Sequence, residues 1–497
     1  MAGLPRFLAG LTAGYLHLAL AAAVQVVLIP FLLSRTGSET TGVYLLLVSV
    51  AQFVAVGIGW LSGAGVRVIG ESQLERGGER VRELHHAVFV GFAAYGAAVF
   101  VGCLCAAAFI GPYWLSGVAP AIQHQTRLAI VYVGAFVCIN FAHQADLALL
   151  AAQFEQARAN LYRVAQLVIY VLLAVPMMLL SARIDLLFLA QALAASVCFV
   201  LARLWLRSSG LLGPTQHTVP SWQFLRDLFV RVGRSYFLFG VAQFTLQLGD
   251  TLLTGAVLGP RAVAAYTVLA KVPDLLVIVC ARISETLVPY LVRLDASTER
   301  RASLVSLFLS TSRLQHTVGA IAGFAYAVAG PAVLDLWVGP ENRPSGWLPY
   351  AVAGMSIFLQ VINKHDAILH FACARVQRLL PIQFVEALGK MGLTLLLFGR
   401  YGFVAPLIAY VIMQALGVTW WYRSSALGIV HVPWRQWFAR VGAFAAALCA
   451  VAAVAVAAIR PFEKRELPQI ALFGAALAVA AAVLVAPEIK RLRALLI

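Results

Sequence analysis

Apolar stretches long enough to cross the roughly 30 Å hydrocarbon core of a bilayer, about 20 residues each, follow one another along almost the whole chain. Fourteen are read, at 8–33, 42–69, 87–111, 128–151, 161–182, 184–206, 230–257, 262–292, 304–330, 347–372, 380–399, 402–422, 437–459 and 467–487. They lack the apolar–polar alternation that strands of a membrane barrel need, so each is expected to be a helix. The first run follows Arg6 and leads directly into further spans, and is read as a retained helix, not a cleaved signal. With 62% of residues hydrophobic and 12% charged, a soluble domain is excluded.

Basic residues set the orientation. With the N-terminus in the cytoplasm, 22 of the 37 Lys and Arg fall on inner loops and flanks, 9 on the outer side and 6 inside spans. Both termini are therefore expected to be cytoplasmic. The same spread excludes nucleic acid as the partner of the +16 net charge, because no basic patch or recognition helix forms. The seven cysteines show neither a disulfide framework nor a zinc spacing. They read as small apolar fillers, and no metal or cofactor is expected.

Charges inside the spans are the exception that needs a reason. Lys271, Asp274, Arg282, Glu285 and Arg293, with Ile278 and Pro289, step by 3, 4, 4, 3, 4, 4 along the eighth span, which is one helical stripe. The opposite stripe, Val272, Leu276, Cys280, Ile283 and Leu287, is apolar. A charge facing lipid at the bilayer centre costs roughly 2.5–3.5 kcal/mol even on the lenient insertion scale. Several on one helix must turn toward a polar interior or toward partners.

A repeat organises the chain. Gly37 stands a fixed distance before Tyr44, and Gly259 stands the same distance before Tyr266, each tyrosine opening a long helix after an outward-facing hairpin. Six spans separate the two copies, so both halves share one orientation, a parallel repeat. The expected units are a six-helix bundle at 1–210, a second at 211–425 after a basic linker (about 207–226), and two further spans at 426–497. Trp222, Phe224, Leu225, Leu228 and Phe229 beside Arg226 and Arg231 suggest a short interfacial helix in that linker. The last two spans, rich in Ala and Val, are expected at the periphery, packing through small residues.

The segment Gln247-Leu248-Gly249-Asp250 through Leu258-Gly259, then Val263, Ala264, Tyr266, Lys271 and Pro289, resembles the start of the second half of polysaccharide flippases. So do Asp335-Leu336-Trp337-Val338-Gly339 and Arg400-Tyr401-Gly402. These are the Wzx-type exporters of the multidrug/oligosaccharidyl-lipid/polysaccharide superfamily, and the resemblance covers roughly residues 8–425. It implies an all-α polytopic membrane protein of two MATE-like six-helix bundles plus two C-terminal helices. It also implies a transporter, not an enzyme, that carries an undecaprenyl-pyrophosphate-type lipid-linked oligosaccharide across the cytoplasmic (inner) membrane for lipopolysaccharide or O-antigen synthesis. Membrane lipids and the polysaccharide polymerase machinery are the partners implied.

Such a substrate needs cations for its phosphates, amides or hydroxyls for its sugars, and a path for its lipid tail. The candidate substrate-binding residues are Arg67, Lys271, Arg282, Lys364, Lys390, Gln243 and Gln247. Asp250, Asp274, Glu285, Asp366 and Glu386 are candidates for ion coupling or charge pairing. Each also has a plainer reading: opposite charges three apart, such as Arg282 and Glu285, can neutralise one another along the helix. Buried pairs can also hold helices in register without touching substrate. Asp146, Arg293 and Arg313 favour that plainer reading. The rivals are an ion-coupled multidrug or cation extruder, in which only the acids matter, and a membrane-embedded glycosyltransferase or polymerase. The latter needs a large catalytic loop, and the loops between these spans are too short to form one.

Overall fold

The structure is a computed structural model and describes residues 3–75, 78–110, 120–153, 155–212, 223, 226, 234–285, 291, 294, 301–373, 375–446, 486 and 490. In chain order the helices are α1 Gly3–Glu75, α2 Gly78–Cys105, α3 Pro120–Ala152, α4 Gln156–Leu180 and α5 Asp185–Ser208. There follow α6 Arg234–Leu258, α7 Pro260–Glu285, α8 Arg301–Val338, α9 Leu348–Ala372 and α10 Leu379–Tyr401. Last come α11 Ala405–Met413, α12 Thr419–Val430 and the short α13 Trp434–Trp437. The first two expected spans are joined in α1, broken only at Gly37. Eight helical stretches among the described residues are long and apolar enough to cross a membrane, one of them running from Leu379 to Val430. α6 and α9 are not among these eight. α9 carries Lys364, His365, Asp366 and His370, polar side chains that the second unit buries or pairs. Most of the last two expected spans, and the interfacial helix expected in the linker apart from single positions, lie outside the described residues.

Apolar side chains face outward where a soluble protein would be polar. On α4, Leu161, Val168, Leu172, Val175 and Leu179 are all exposed, spaced by 7, 4, 3 and 4, a single stripe. On α10, Leu388 and Leu395 are exposed with the same spacing as Val168 and Val175, which they match between the two halves. Stripes of this kind suit a hydrocarbon solvent. The chain is a multi-pass membrane protein.

Two compact units divide the chain, Met1–Leu252 and Leu253–Ile497. In the first, Leu32, Phe92, Phe141 and Phe188 are fully buried at the centre of the helices, with Val133, Val137 and Met178 around them. The Tyr44 and Tyr170 hydroxyls lie 3.5 Å apart in that core, giving each polar tip a partner. α2 and α3 approach at small residues: a Cβ on Gly134 would lie 2.7 Å from the Cys103 Cβ, and one on Gly96 would lie 2.9 Å from the Cys138 Cα.

In the second unit α8 and α9 cross at Gly323 and Gly354, where a Cβ on either would collide with the other's carbonyl. Leu307, Phe308, Leu369, Ala426 and Leu427 form a buried core with Trp437 and Val441. Both belong to the first turns of the thirteenth expected span, most of which lies outside the described residues. Trp437 packs its ring against a buried arginine described below.

Equivalent positions recur. Gly37 and Gly259 both have positive φ, 76° and 83°, a region that only glycine enters without strain. Tyr44 and Tyr266, which follow them, are each 7% exposed. Further in, Gly134 and Gly354 correspond between the halves at the same offset that relates Val168 to Leu388, and each sits at the tight crossing of its own unit.

Candidate functional site

The charges of α7 occupy its open side. Its inward face is Val263, Tyr266, Ala270, Pro273, Val277, Cys280 and Ser284, all buried and spaced by 3 and 4. This face is turned about one residue from the apolar row read in the sequence, and it includes two hydroxyls, those of Tyr266 and Ser284. On the other side Lys271, Ile278 and Arg282 are half-buried, and Asp274 and Glu285 are exposed. Arg282 Nη1 lies 2.5 Å from Glu285 Oε2. Lys271 and Asp274 interact one turn apart. From α9, Lys364 is close enough to feel Asp274, Glu285 and Arg282. Three cations and two acids therefore gather on one side of the second unit, with the cations in excess.

Behind that row is a polar seam. Ser284 Oγ is 2.9 Å from His365 Nδ1, and Gln315 Nε2 donates to Ser284 Oγ at 2.8 Å and to the Cys280 carbonyl at 3.1 Å. The ring of Phe308 stacks on His365, centroids 5.3 Å apart. His365 thus points back into the α7–α8–α9 packing, while Lys364, its neighbour, is half-buried and within electrostatic reach of the charged row.

A second polar group joins α9, α10, α11 and α12. Glu386, 5% exposed, accepts hydrogen bonds from the Gln414 amide and from Tyr422 Oη at 3.2 Å. Gln414 Oε1 in turn accepts from Asn363 Nδ2 at 2.6 Å and Thr419 Oγ1 at 3.1 Å. Gln414 opens a π-turn, Gln414–Val418, and such local widenings often accompany functional side chains. Lys390, one turn beyond Glu386, is also buried, and its ammonium lies 5.3 Å from the centre of the Tyr410 ring.

The third group is a sealed ion pair. Asp366 is fully buried, and Arg423 Nε lies 3.0 Å from its Oδ2 without pointing a straight hydrogen bond at it. Arg423, 1% exposed, donates to Ser312 Oγ at 2.6 Å and lies over the Trp437 ring, 4.6 Å from its centre. In the sequence Arg423 counted among the inner-flank cations. The structure places it inside the bundle, opposite an acid that the sequence offered as a coupling site. A counterpart lies in the first unit. Asp146, fully buried, meets His85 Nε2 at 3.0 Å and Arg203 Nε at 3.2 Å, and Arg203 lies 3.8 Å over the Phe89 ring. Asp146 and Asp366 correspond at the offset that relates Gly134 to Gly354, as do Arg203 and Arg423.

Of the other candidates, Gln243 is half-buried, Gln247 exposed and Asp250 buried, all on α6. The side chain of Arg67 and the stripe positions Pro289 and Arg293 lie outside what the structure describes. Among the described residues, no group of three His, Cys, Asp or Glu is placed to hold a metal ion.

No family model matches the chain, and no curated protein matches its sequence. Its fold, however, matches solved structures. An inward-facing multidrug resistance MATE family transporter of the MOP superfamily aligns at TM-score 0.65 and 14% identity, over 81% of this chain and 93% of that one. The lipid II flippase MurJ in an inward closed conformation aligns at TM-score 0.71 and 11% identity, over 96% and 99%. An outward-facing MATE transporter aligns at TM-score 0.57 and 15% identity, over 86% and 95%. These neighbours are transporters, not enzymes, and the chain shares their fold.

Proposed function

We propose that this protein is a flippase that carries a polyprenyl-pyrophosphate-linked oligosaccharide across the cytoplasmic membrane by alternating access, for the synthesis of surface polysaccharide. The observation that carries the reading is the charged side of α7 faced by Lys364 from α9, on a fold whose solved examples include a flippase of lipid II. Cations outnumber acids there, as an anionic headgroup requires, and arginine and lysine offer a planar fork and a point charge to its phosphates. Lys390, Gln243 and Gln247 supply further polar contacts for the glycan. Asp274, Glu285 and Glu386 are the groups that would take up a coupling ion.

The MATE likeness supports a second reading, an ion-coupled extruder of organic cations, in which the acids alone matter. One experiment separates the two: following the lipid-linked oligosaccharide in cells that lack the protein, then restoring variants. The flippase reading expects the intermediate to accumulate at the inner leaflet and surface glycan to be lost. It expects Lys271→Ala or Arg282→Ala to fail to restore export while the protein still accumulates in the membrane. Normal surface glycan with raised sensitivity to cationic dyes, and full rescue by both variants, would transfer the argument to the extruder.

A further inference from the structure

The charged row of α7 is held from behind at two points. Pro273 has no N–H, so the Leu269 carbonyl four residues earlier has no helical donor. At membrane depth such an orphan is expensive unless another group satisfies it. Tyr326 Oη of α8 donates to it at 2.8 Å, from a side chain only 3% exposed. Eleven residues further along α7, the Cys280 carbonyl accepts from Gln315 Nε2. Gln315 lies eleven residues before Tyr326 on α8, which runs the opposite way. Such a separation makes about three turns. Both donors therefore share one face of α8, both acceptors share one face of α7, and the two contacts bracket Pro273. Lys271 and Asp274 fall between the contacts, and Arg282 and Glu285 just beyond the second. The second contact continues through Ser284 to His365, the neighbour of Lys364.

We propose that Tyr326 and Gln315 are positioning residues for this site. They fix the course of α7 across its proline, and with it the spacing of Lys271, Asp274, Arg282 and Glu285 against Lys364. Neither side chain need touch the substrate. The role at the headgroup rests on the function proposed above; the clamp itself does not.

The test uses the full-length protein in nanodiscs, its native cysteines replaced, with spin labels at Arg261 and Val279. Both positions are exposed on α7, and a straight helix would hold them roughly 27 Å apart. Tyr326→Phe removes one hydroxyl and is expected to shift or broaden that distance distribution. Gln315→Met keeps the side-chain length without its donors and is expected to do the same. Both should weaken binding of a short-chain polyprenyl pyrophosphate roughly tenfold, the scale of one lost hydrogen bond. The deciding arm is Pro273→Ala, which returns an N–H to the helix for Leu269. In that background Tyr326→Phe should change neither the distance nor the binding further. An unchanged distance in Tyr326→Phe, or an equal effect with and without Pro273, overturns the clamp. If the unmodified protein fails to bind the pyrophosphate lipid while the distances behave as expected, the headgroup reading falls and the clamp stands.

Discussion

Arg423 shows what a single position can hide. Read along the sequence it is one more inner-side cation at a helix end, after a run of aromatic residues, and such an arginine ordinarily snorkels to the headgroups. In the structure it turns inward and meets Asp366, Ser312 and the Trp437 ring. Nothing in the spacing of one helix could reveal this, because its partners come from α8, α9 and α13. The energetics are lopsided. Removing one member of a buried ion pair leaves the other unpaired and costs about 3–5 kcal/mol, whereas replacing both with apolar groups of similar shape is often neutral. Arg423→Ala should therefore lower the thermal unfolding midpoint in nanodiscs sharply, and Asp366→Leu with Arg423→Met should recover most of the loss. Should the double variant be as unstable as the single one, the pair is not a mutually compensated unit. The α7 row was legible for the opposite reason: all of its members lie on one helix, so the 3–4 spacing alone places them on one side. Lys364, on α9, was legible only as an isolated cation, and its approach to that row needed the packing.

At the scale of the helices, what could be read was the part of the repeat that lies in a turn. Gly37 and Gly259 announce themselves because a positive φ demands glycine, and the tyrosines that follow mark equal distances along the chain. The deeper correspondences, at Gly134 and Gly354, Asp146 and Asp366, and Arg203 and Arg423, escape sequence reading because the residues around them differ between the halves. Asp146 meets a histidine beside its arginine, for example, whereas the arginine that meets Asp366 donates to a serine. Each unit thus fastens the same pair of helices, α3 to α5 and α9 to α12, with an aspartate and an arginine. The crossings are fixed as tightly. Gly323→Leu should force α8 from α9 and destabilise the protein by about 1–3 kcal/mol or more. Gly102→Ala, on α2 where a Cβ would meet nothing within 4 Å, should be neutral or stabilise by up to about 1 kcal/mol. Thermal midpoints of the two variants side by side check the reading. If Gly323→Leu were as stable as Gly102→Ala, the close approach of α8 and α9 would not be a constraint on the fold.

For the whole molecule, the class of fold was readable from apolar run length alone, since hydrocarbon admits little besides helices. The orientation rests on a different physical fact, that basic side chains are held on the cytoplasmic side, and it sets the direction in which any cargo would move. It is also the most exposed of the large-scale expectations, because six of the 37 basic residues lie within spans and Arg423, counted as a flank, is buried. Moving Arg423 out of the inner tally leaves 21 against 9, still far from even, so the orientation should survive. Two exposed positions decide it: Ser345, in the turn between α8 and α9, and Ser209, just past α5. In a cysteine-free background, Ser345→Cys should react with a membrane-impermeant maleimide applied to intact cells, and Ser209→Cys only after the membrane is opened. The opposite pattern would invert the molecule. The counting rule would then have failed on a chain whose strongest cations are folded inward, and a flippase would have to load its headgroup from the face assigned here to release.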